Sequence, residues 1–326
     1  MPGKVPPDEL AAHVFSRTGA DDERVLQGPA LGEDAAAIDV PAGTLVVSSD
    51  PISLAAADAG ALGVRVACND VAASGGEPRW LTVVCMLPTD DGDAFDALSR
   101  ALHDAASDAG VTIVGGHSEY VDALDRPLLS LTAMGFADPF VPTGGATTGD
   151  RVVLAGAAAT EGSAILAADF GDELAVDDET VERASEFLDD VSVTPAARAL
   201  RGAATAMHDP TEGGIAAGLV ELAAASGVDV EVDRDAIPVR AETETLCGAA
   251  EVDPLRIFGS GALLATVPES ALEDRLSALR DAGIDAAAIG TVTGASDGTV
   301  SLDGETLSSP PTDELYPLWE AADARE

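Results

Sequence analysis

The sequence predicts an α/β protein of two domains. With 326 residues, of which 46% are hydrophobic, the chain is long enough to bury two cores of ordinary size. Short apolar runs with strand periodicity alternate with longer segments whose apolar residues recur at helical spacing. A Gly- and Thr-rich segment, Val141 to Asp150, separates these elements into two groups of similar length. We therefore predict one domain over residues 1–145 and a second over residues 146–326.

The first half predicts an α+β domain with a mixed sheet. After a short helix at Asp8–Ser16, the predicted elements are strands Ala35–Val40 and Thr44–Ser49, helix Ala55–Ala73, strand Trp80–Leu87, helix Asp93–Ala109, and strands Val111–Val114 and Leu128–Phe136. Because Val111–Val114 is a continuous apolar run, we expect a short buried strand there. This strand would open onto Gly115 and Gly116.

The second half predicts an α/β domain. Its elements are strand Arg151–Leu154, helices Gly162–Phe170, Asp178–Leu188, Pro195–Met207 and Ile215–Ala225, strand Val228–Val232, helix Ala241–Ala250, strand Ala262–Val267, helix Glu269–Ala282 and strand Ala288–Val292. Gly227 provides a C-terminal stop for the helix that begins at Ile215.

The charge of the chain limits its partners. The net charge is −41, from 58 acidic and 17 basic residues, and Lys4 is the only lysine. Such a surface repels nucleic acid and anionic membranes, and no apolar run approaches the roughly 18 residues of a membrane span. The acidic residues are spread through the helices, as in proteins of salt-accumulating halophiles, where high salt screens the repulsion. An acidic protein from a mesophile is the alternative.

Cysteine usage and the N-terminus predict a cytoplasmic protein. Cys68, Cys85 and Cys247 lie far apart without a CxxC pair, so neither a zinc site nor a disulfide framework is indicated. Buried free thiols in a reducing compartment are expected. The first ten residues, MPGKVPPDEL, show no apolar segment of a secretory signal.

Four short acidic stretches indicate the chemistry. They are LGEDAAAID (Leu31 to Asp39), SSDP (Ser48 to Pro51), CNDVAASGGEP (Cys68 to Pro78) and HDPTEGG (His208 to Gly214). Each offers a carboxylate beside glycine or at a strand end, and Mg²⁺ prefers one or two carboxylates plus phosphate oxygens. The sequence contains no P-loop, so metal ions rather than a P-loop lysine would neutralise a triphosphate.

The first three stretches supply four candidate residues. Asp34 would project a carboxylate just before a strand, and Asp50 lies at a strand end, where ligand sites of α/β sheets collect. A solvated turn and a helix cap are the respective alternatives. Asn69 and Asp70 lie in a small, apolar helical segment, where a buried Asn-Asp pair is costly unless satisfied. A metal site is favoured there over a hydrogen-bond network.

The sequence GGHSE supplies a further group. Paired glycines, Gly115 and Gly116, would let a phosphate or nucleotide approach the backbone closely. Glu119 could be another metal ligand. His117 could contact phosphate or sugar, with a structural histidine as the alternative.

The HDPTEGG sequence precedes a helix. Asp209 and Thr211 suit an anion or metal site at a helix N-terminus, and a plain N-cap is the alternative. Glu212 could complement the helix dipole or orient a metal-bound water. His208 could do no more than pack.

Taken in order, the motifs resemble those of one superfamily. GEDAAAID, SSDP, NDVAASGGEP, VTIVGGHSE, HDPTEGG and FGSGALLATV look like the motifs of the aminoimidazole ribonucleotide (AIR) synthetase, or PurM-like, superfamily. Thiamine-monophosphate kinase, selenophosphate synthetase and the hydrogenase-maturation protein HypE also belong to it. The resemblance covers nearly the whole chain, and the DPTxGG element is most similar to the HypE branch and its AIR synthase-related relatives.

The resemblance implies a fold and a site. The N-terminal sheet would pair with a second copy to form a dimer barrel, with ATP in a cleft between the domains and Mg²⁺ held by aspartates. With the residue types above, the predicted metal ligands are Asp34, Asp50, Asp70, Glu119 and Asp209, of which Asp70 and Asp209 are also predicted to be catalytic. The predicted nucleotide contacts are Lys4, Asn69, Gly115, Gly116, His117 and Thr211. Lys4 is included because the amino-terminal segment of such enzymes can fold over the phosphates.

The departures from the family pattern narrow the expected activity. HypE proteins end in a cysteine that carries a carbamoyl group, whereas no cysteine follows Cys247 here, so HypE chemistry on its own tail is not expected. The DPTRGG arginine typical of HypE is Glu212. No cysteine lies near the N-terminus, which disfavours selenophosphate synthetase chemistry.

The sequence thus predicts an ATP- and Mg²⁺-dependent enzyme that activates an oxygen of a small-molecule or thiocarboxamide-type substrate by phosphoryl transfer. In a HypE-like version the phosphorylated oxygen leaves, giving net dehydration. In a version like thiamine-monophosphate kinase the phosphorylated product is released. We also expect a homodimer and allow for a metalloenzyme-maturation partner. The alternatives are a non-catalytic nucleotide-binding partner in cofactor assembly and a structural dimer without a nucleotide site.

Overall fold

The chain forms two compact units, each built on one sheet. The structure is a computed structural model that describes residues 5, 7–15, 17–52, 59–88, 92–295 and 298–323. The six-stranded unit comprises Asp22–Gly28 and the described parts of Asp34–Phe140. The seven-stranded unit comprises Pro29–Glu33 and the described parts of Met1–Asp21 and Val141–Glu326.

Strands and helices alternate along both units, as the sequence predicts. The strands are β1 (Val25–Gln27), β2 (Ala36–Val40), β3 (Gly43–Ile52), β4 (Gly76–Leu87), β5 (Thr112–Tyr120), β6 (Leu128–Ala137), β7 (Arg151–Ala155), β8 (Ala206–His208), β9 (Val228–Val232), β10 (Leu263–Val267), β11 (Ala286–Ala295), β12 (Val300–Leu302) and β13 (Glu305–Leu307). The α-helices are α1 (Pro7–His13), α2 (Ala59–Ala73), α3 (Gly92–Ala109), α4 (Thr160–Phe170), α5 (Asp178–Ser185), α6 (Thr194–Leu200), α7 (Gly214–Ser226), α8 (Ala241–Ala250), α9 (Leu272–Asp281) and α10 (Leu315–Asp323).

The six-stranded sheet has the order β1-β2-β3-β6-β4-β5, and α2 packs on one of its faces. All neighbouring strands are antiparallel except β4 and β5. A Cβ atom on Gly63 would lie 2.9 Å from Leu131 of β6, and one on Gly60 would lie 2.9 Å from Ala101 of α3. Small residues therefore let α2 fit closely between the sheet and α3.

The two faces of this sheet differ in burial. In β6, Leu129, Leu131 and Ala133 are fully buried, and the contact of Leu131 with α2 shows which face they occupy. The intervening residues point the opposite way because side chains alternate along a strand. Register assigns partly exposed residues of β3, β4 and β6 to that second face, called here the half-exposed face, among them Leu45, Val47, Trp80, Thr82, Val84, Met86, Leu128, Ser130, Thr132, Met134 and Phe136.

Strand β5 differs from the prediction. The short buried strand expected at Val111–Val114 is a nine-residue strand that is exposed at every position. Its apolar residues Ile113 and Val114 are 38% and 55% exposed because β5 ends the sheet. An edge position and a central position favour the same β-branched residues, so the sequence alone did not distinguish them.

The seven-stranded sheet has the order β13-β12-β9-β11-β7-β10-β8. All five residues of β10 are buried, as is every residue of α7 from Gly214 to Ala223. A helix that is apolar on all sides belongs in a core, and Ile215, Leu219 and Leu222 of α7 are part of the main cluster of this unit. Asp209 and Thr211 immediately precede this central helix.

One helix prediction in this unit is wrong at its end, and several elements were not predicted. The helix expected over Pro195–Met207 ends at Leu200, and β8 follows because residues 206–208 pair with β10. Strands β1, β12 and β13 and helix α10 were not predicted.

Among the described residues, no helix combines the length and apolarity that a membrane crossing needs. All three cysteines are buried free thiols, as predicted.

Candidate functional site

In the six-stranded unit, the predicted pair Asn69 and Asp70 is buried in the last part of α2. Asn69 is fully buried and Asp70 is 6% exposed. The hydroxyl of Ser48 in β3 donates a hydrogen bond to the carboxylate of Asp70. The burial of this pair is confirmed, and the helix brings it directly onto the sheet.

Asp50 lies on the same face of the sheet as Ser48. The two residues are two positions apart in β3, so their side chains share a face, which is the face that α2 covers. Asp50 and Asp70 are therefore on one side of the sheet. Asp34 lies just before β2 and is half-buried. Because β2 and β3 are antiparallel, the start of β2 and the end of β3 meet at one end of the sheet.

The GGHSE residues lie inside β5 rather than in a loop after a strand. A register row joins Asp50 to Leu131, Leu131 to Val83 and Val83 to Gly116. Three strand spacings of about 4.8 Å separate Asp50 from Gly116 by about 14 Å along this row. The row is a continuous path across the α2-covered side of the sheet.

The two glycines differ in the space around them. A Cβ atom on Gly116 would lie 1.9 Å from the carbonyl oxygen of Val83, so the close approach of β4 itself demands glycine there. A Cβ atom on Gly115 would meet no atom of the described residues within 4 Å. Of the two glycines, Gly115 is therefore the one with open space beside its backbone.

His117 and Glu119 point to the other side of the sheet. Ser118 is hydrogen-bonded to the buried Cys85, so its neighbours in β5 project toward the half-exposed face. The imidazole Nε2 of His117 lies 3.6 Å from Glu119 Oε2, and both side chains are exposed. Within the six-stranded unit, the structure does not bring Glu119 together with Asp50 and Asp70. Lys4 lies outside the described residues.

In the seven-stranded unit, the HDPTEGG turn connects β8 to α7. Asp209 is 2% exposed, and Thr211 is half-buried. The carbonyl oxygen of Thr211 accepts hydrogen bonds from Gly214 at 3.0 Å and from Gly259 at 2.9 Å. These bonds and the loop at Gly259 fix the backbone on which Asp209 and Thr211 stand.

His208 does more than fill space. Its Nε2 atom lies 2.9 Å from Glu221 Oε2 of α7, and both residues are buried. A Cβ atom on Gly32 would lie 2.9 Å from the carbonyl oxygen of Glu221, so the Gly32 turn packs directly on this part of α7. The pair links the HDPTEGG turn to the residues just before Asp34.

Glu33 is a residue that sequence reasoning missed. Its carboxylate accepts hydrogen bonds from the backbone N–H groups of Thr143 and Gly144 at 3.2 and 3.1 Å. These contacts lie within the seven-stranded unit and fix the residue next to Asp34. The GED motif pointed to Asp34, and no local pattern shows that Glu33 accepts hydrogen bonds from two N–H groups more than 100 residues away.

A group of carboxylic acids surrounds Glu212. Burial raises the pKa of Asp313 to about 7, and the carboxylates of Glu212 and Glu161 add to the rise. Burial likewise raises the pKa of Glu161 to about 6, with Glu212 adding to it. Tyr316 is hydrogen-bonded to Glu212, and burial raises its pKa as well. The position that carries arginine in the HypE motif thus lies in a strongly acidic environment.

The described acidic residues suit Mg²⁺, whose coordination shell is completed by phosphate and water, better than a metal ion that is coordinated only by protein side chains. Among the described residues, no three His, Cys, Asp or Glu side chains converge closely enough to hold a metal ion. Mg²⁺ needs only one or two carboxylates, with phosphate oxygens and water completing its shell. Asp70 suits this role, because its buried carboxylate lies at the negative end of the α2 dipole, where a cation is favoured.

Comparison with solved structures identifies the class of fold. The fold matches that of a HypE hydrogenase maturation protein in complex with ATP, with a TM-score of 0.70 and 28% identity over 94% of this chain and 95% of that one. It also matches a thiamine-monophosphate kinase from Aquifex aeolicus, with a TM-score of 0.69 and 21% identity over 84% and 92%. The fold is thus the two-domain α/β fold of the PurM-like superfamily.

Sequence comparison then gives the family. Residues 32–137 match the AIR synthase related protein N-terminal domain, and residues 147–303 match the C-terminal domain. The carbamoyl dehydratase HypE of Rhodobacter capsulatus is 30% identical over 84% of this chain and 80% of its own length. The thiamine-monophosphate kinase of Halobacterium salinarum is 32% identical over 92% and 96%. This chain belongs to the AIR synthase-related family, near its HypE branch.

Proposed function

We propose that this protein is an ATP- and Mg²⁺-dependent enzyme that transfers the γ-phosphoryl group of ATP to an oxygen of a small substrate. The observation that carries the proposal is the buried carboxylate of Asp70 in the last turn of α2. It accepts a hydrogen bond from the hydroxyl of Ser48 in β3. A carboxylate there opposes the helix dipole and is most stable beside a cation. The HypE relative with ATP bound supports a nucleotide as the companion of that cation.

The residues would divide the work by position. Asp34, Asp50 and Asp70 of the six-stranded unit would hold Mg²⁺ and the phosphates. Asp209 stays a predicted metal ligand from the sequence. When bound, Mg²⁺ supplies charge neutralisation at the phosphate oxygens. Asn69 and Ser48 would orient Asp70. Phosphoryl transfer depends mainly on such positioning and charge neutralisation, and the protein side chains need form no covalent bond.

The nucleotide contacts stay predictions of the same proposal. Gly115 and Gly116 stay predicted nucleotide contacts; the open space beside Gly115 lies on the half-exposed side of the sheet, whereas Asp50 and Asp70 lie on the α2 side. Thr211 would contact the phosphates from the turn before α7. Lys4 and His117 stay predicted nucleotide contacts, and Glu119 stays a predicted metal ligand. The substrate would be a small molecule or a thiocarboxamide-type group.

Two outcomes of the transfer have support, and they differ in where the phosphate goes. The HypE relatives favour departure of the phosphorylated oxygen, with net dehydration and release of inorganic phosphate. The Halobacterium kinase, which matches over a wider span of this chain, favours release of a phosphorylated product. A non-catalytic role in cofactor assembly, beside a maturation partner, is the alternative from another class.

We also propose a homodimer in the cytoplasm of a salt-accumulating cell. The half-exposed face is largely apolar, and the edge strand β5 adjoins it, so a second copy placed there would bury both. Three buried free thiols suit a reducing compartment. The net charge of −41 suits a cytoplasm with high salt.

The experiment follows the labelled γ-phosphate of ATP. The wild type, Asp70→Ala and the control Asp39→Ala, which removes an exposed carboxylate of β2, are incubated with ATP and thiamine monophosphate or a carbamoylated thiol peptide. Label in an organic product indicates the kinase, and label in inorganic phosphate that depends on the peptide indicates the dehydratase. We expect Asp70→Ala to lose about 100-fold or more in rate. Equal rates for all three proteins, with or without Mg²⁺, would refute the proposal.

A binding measurement separates the non-catalytic alternative. If ATP with Mg²⁺ raises the melting temperature of the wild type but stays intact for hours with every acceptor tested, the protein binds nucleotide without turnover. No change in melting temperature would instead leave a dimer without a nucleotide site.

A further inference from the structure

The HDPTEGG turn is held by two segments of the chain, and one of them lies beyond the residues that match the family. Residues 255–259 form the first segment: Gly259 N–H donates to the carbonyl oxygen of Thr211 in the turn, and Ala216 N–H of α7 donates to that of Leu255. The second segment is Pro311–Trp319, called here the C-terminal strap. The family match ends at residue 303, so the strap is outside the part of the chain that the family describes.

The strap reaches the turn at Gly213. This glycine has a φ of +74°, and a Cβ atom on it would lie 2.5 Å from the carbonyl oxygen of Pro311. Its N–H donates a 2.8 Å hydrogen bond to Asp313 Oδ2. The other carboxylate oxygen, Oδ1, accepts a 3.0 Å bond from Leu315 N–H at the start of α10. One side chain, 2% exposed, thus ties the turn to the last helix.

Aromatic packing fixes the rest of the strap. The rings of Tyr316 and Trp319 each lie 6.2 Å from that of Phe258, in the loop that also contacts the turn. Trp319 Nε1 donates a 2.8 Å hydrogen bond to Asp169 of α4. The strap is therefore fixed by contacts that do not involve Asp313, and the hydrogen bond from Gly213 N–H to Asp313 connects the turn to this fixed segment.

We infer that Asp313 is a positioning residue of the nucleotide site, which holds the HDPTEGG turn in the shape that presents Asp209 and Thr211. The inference rests on the proposed function. A left-handed glycine has no side chain to limit its conformation, so the bond from its N–H to Asp313 adds to the bonds at Thr211 in selecting one backbone geometry. A shift of about 1 Å in catalytic groups can reduce rates by about 100-fold, so such a bond affects catalysis without touching substrate.

The groups around Asp313 make its positioning role dependent on pH. A residue that only stabilised the fold would not make nucleotide affinity depend on pH in this way. Three titratable groups face Asp313: Glu161 of α4, Glu212 of the turn and Tyr316 of α10. An ionised carboxylate accepts a stronger bond from N–H than a protonated one. Nucleotide affinity should therefore rise as the pH passes upward through neutrality, and a variant without the ionisable group should lack this component.

The test compares two neighbouring carboxylates of the strap. Asp313→Ala removes the acceptor of Gly213 N–H. The matched control Glu314→Ala removes the acceptor of Asp253 N–H, a 2.7 Å bond that does not involve the turn. Asp313→Asn keeps one acceptor and serves as the conservative variant, and it also serves if Asp313→Ala fails to fold.

Two readouts are needed, one of which does not depend on activity. Without nucleotide, we expect amide hydrogen exchange over residues 209–216 to be about tenfold faster in Asp313→Ala and unchanged in Glu314→Ala. With Mg²⁺ and ATP, we expect kcat/KM to fall about 10- to 100-fold in Asp313→Ala, and less in Asp313→Asn. The pH dependence near neutrality should flatten in Asp313→Asn.

The outcomes separate the two proposals. If Asp313→Ala matches Glu314→Ala in both exchange and kcat/KM, or loses only thermal stability, Asp313 is not a positioning residue. If the wild type itself neither binds nor consumes ATP, the proposed function fails, and the exchange measurement still decides whether Asp313 holds the turn.

Discussion

The two sheets of this protein differ in how far their strands are buried within their own unit. In the seven-stranded unit, β10 is buried at all five positions and β7 at four of five. In the six-stranded unit, β6 is buried only on its α2 side, and β5 is exposed at all nine positions. The first sheet is covered within its own unit, whereas the second presents an apolar face that another surface would cover.

This difference has a physical consequence for how each unit is stabilised. A core that is closed within one chain depends on local packing alone. A sheet with a half-exposed apolar face gains further stability only when that face is buried, and a second copy is the partner that the proposed homodimer provides. The comparison can be tested at four levels.

The largest expected effect is on assembly. Met134 lies on the half-exposed face, paired with Val47 and Trp80, so Met134→Asp would place a charge in the proposed interface. We expect the dissociation constant of the dimer to rise about 100-fold or more, because an unpaired buried charge costs several kcal/mol. Thr306→Asp adds the same charge at an exposed strand position of the other sheet and should change nothing. Analytical ultracentrifugation measures this, and a monomeric wild type would contradict the comparison.

The next effect is on core stability. Leu131 and Leu154 are both fully buried, one in each sheet. Each Leu→Ala change should cost about 3 kcal/mol. The melting temperature of Leu131→Ala should depend on protein concentration, because its unit is completed by a partner, while that of Leu154→Ala should depend on it less. Calorimetry over a 100-fold concentration range would check this, and identical behaviour of the two variants would argue against a difference between the units.

A smaller effect concerns pH and belongs to the seven-stranded unit. Burial raises the pKa of Asp313 from its ordinary 3.8 to about 7 in the folded protein, so the stability that its protonated form contributes is lost as the pH rises through this window. Relative to Asp313→Asn, the wild type should lose about 2 kcal/mol of stability between pH 5.5 and 8. Asp39→Asn, at an exposed position, should follow the wild type closely. Denaturant unfolding at each pH gives the values, and parallel curves for the wild type and Asp313→Asn would contradict the assignment.

The smallest effect is that of salt on association. Two chains that each carry a charge of −41 must approach to form the dimer. Raising KCl from 0.1 to 1 M shortens the Debye length from about 10 to 3 Å. We expect the dissociation constant to fall by about tenfold, as measured by sedimentation at each salt concentration. A salt-independent constant would indicate that the acidic residues lie away from the interface.

The sequence predicts most of the fold because its strongest signals are local. Helices α2 and α3 and strands β4 and β6 follow apolar periodicity, and Gly227 ends α7 as expected. Strand β8 was hidden because Ala203, Ala204, Ala206 and Met207 are good helix formers, and only pairing with β10 makes residues 206–208 a strand. The exposure of β5 was equally hidden, because a sheet position is a tertiary property.

The sequence predicts those site residues that are polar but stand in an apolar, buried segment. Asn69 and Asp70 stood out as polar residues in an apolar helix, and both are buried. Glu33 and Asp313 gave no such contrast, because each is one acidic residue among 58 in a strongly acidic chain. Their importance comes from the distant backbone N–H groups that they bind, which no local pattern reveals.

The position of β5 at the end of its sheet makes the protein open to competition by an extended peptide. A strand that added itself to this edge would run beside Gly115 and His117, and its side chains would occupy the space next to Gly115 that the described residues leave open. Such a peptide would combine backbone hydrogen bonds with side-chain contacts, and it would compete with the second copy of the proposed homodimer rather than imitate nucleotide or substrate.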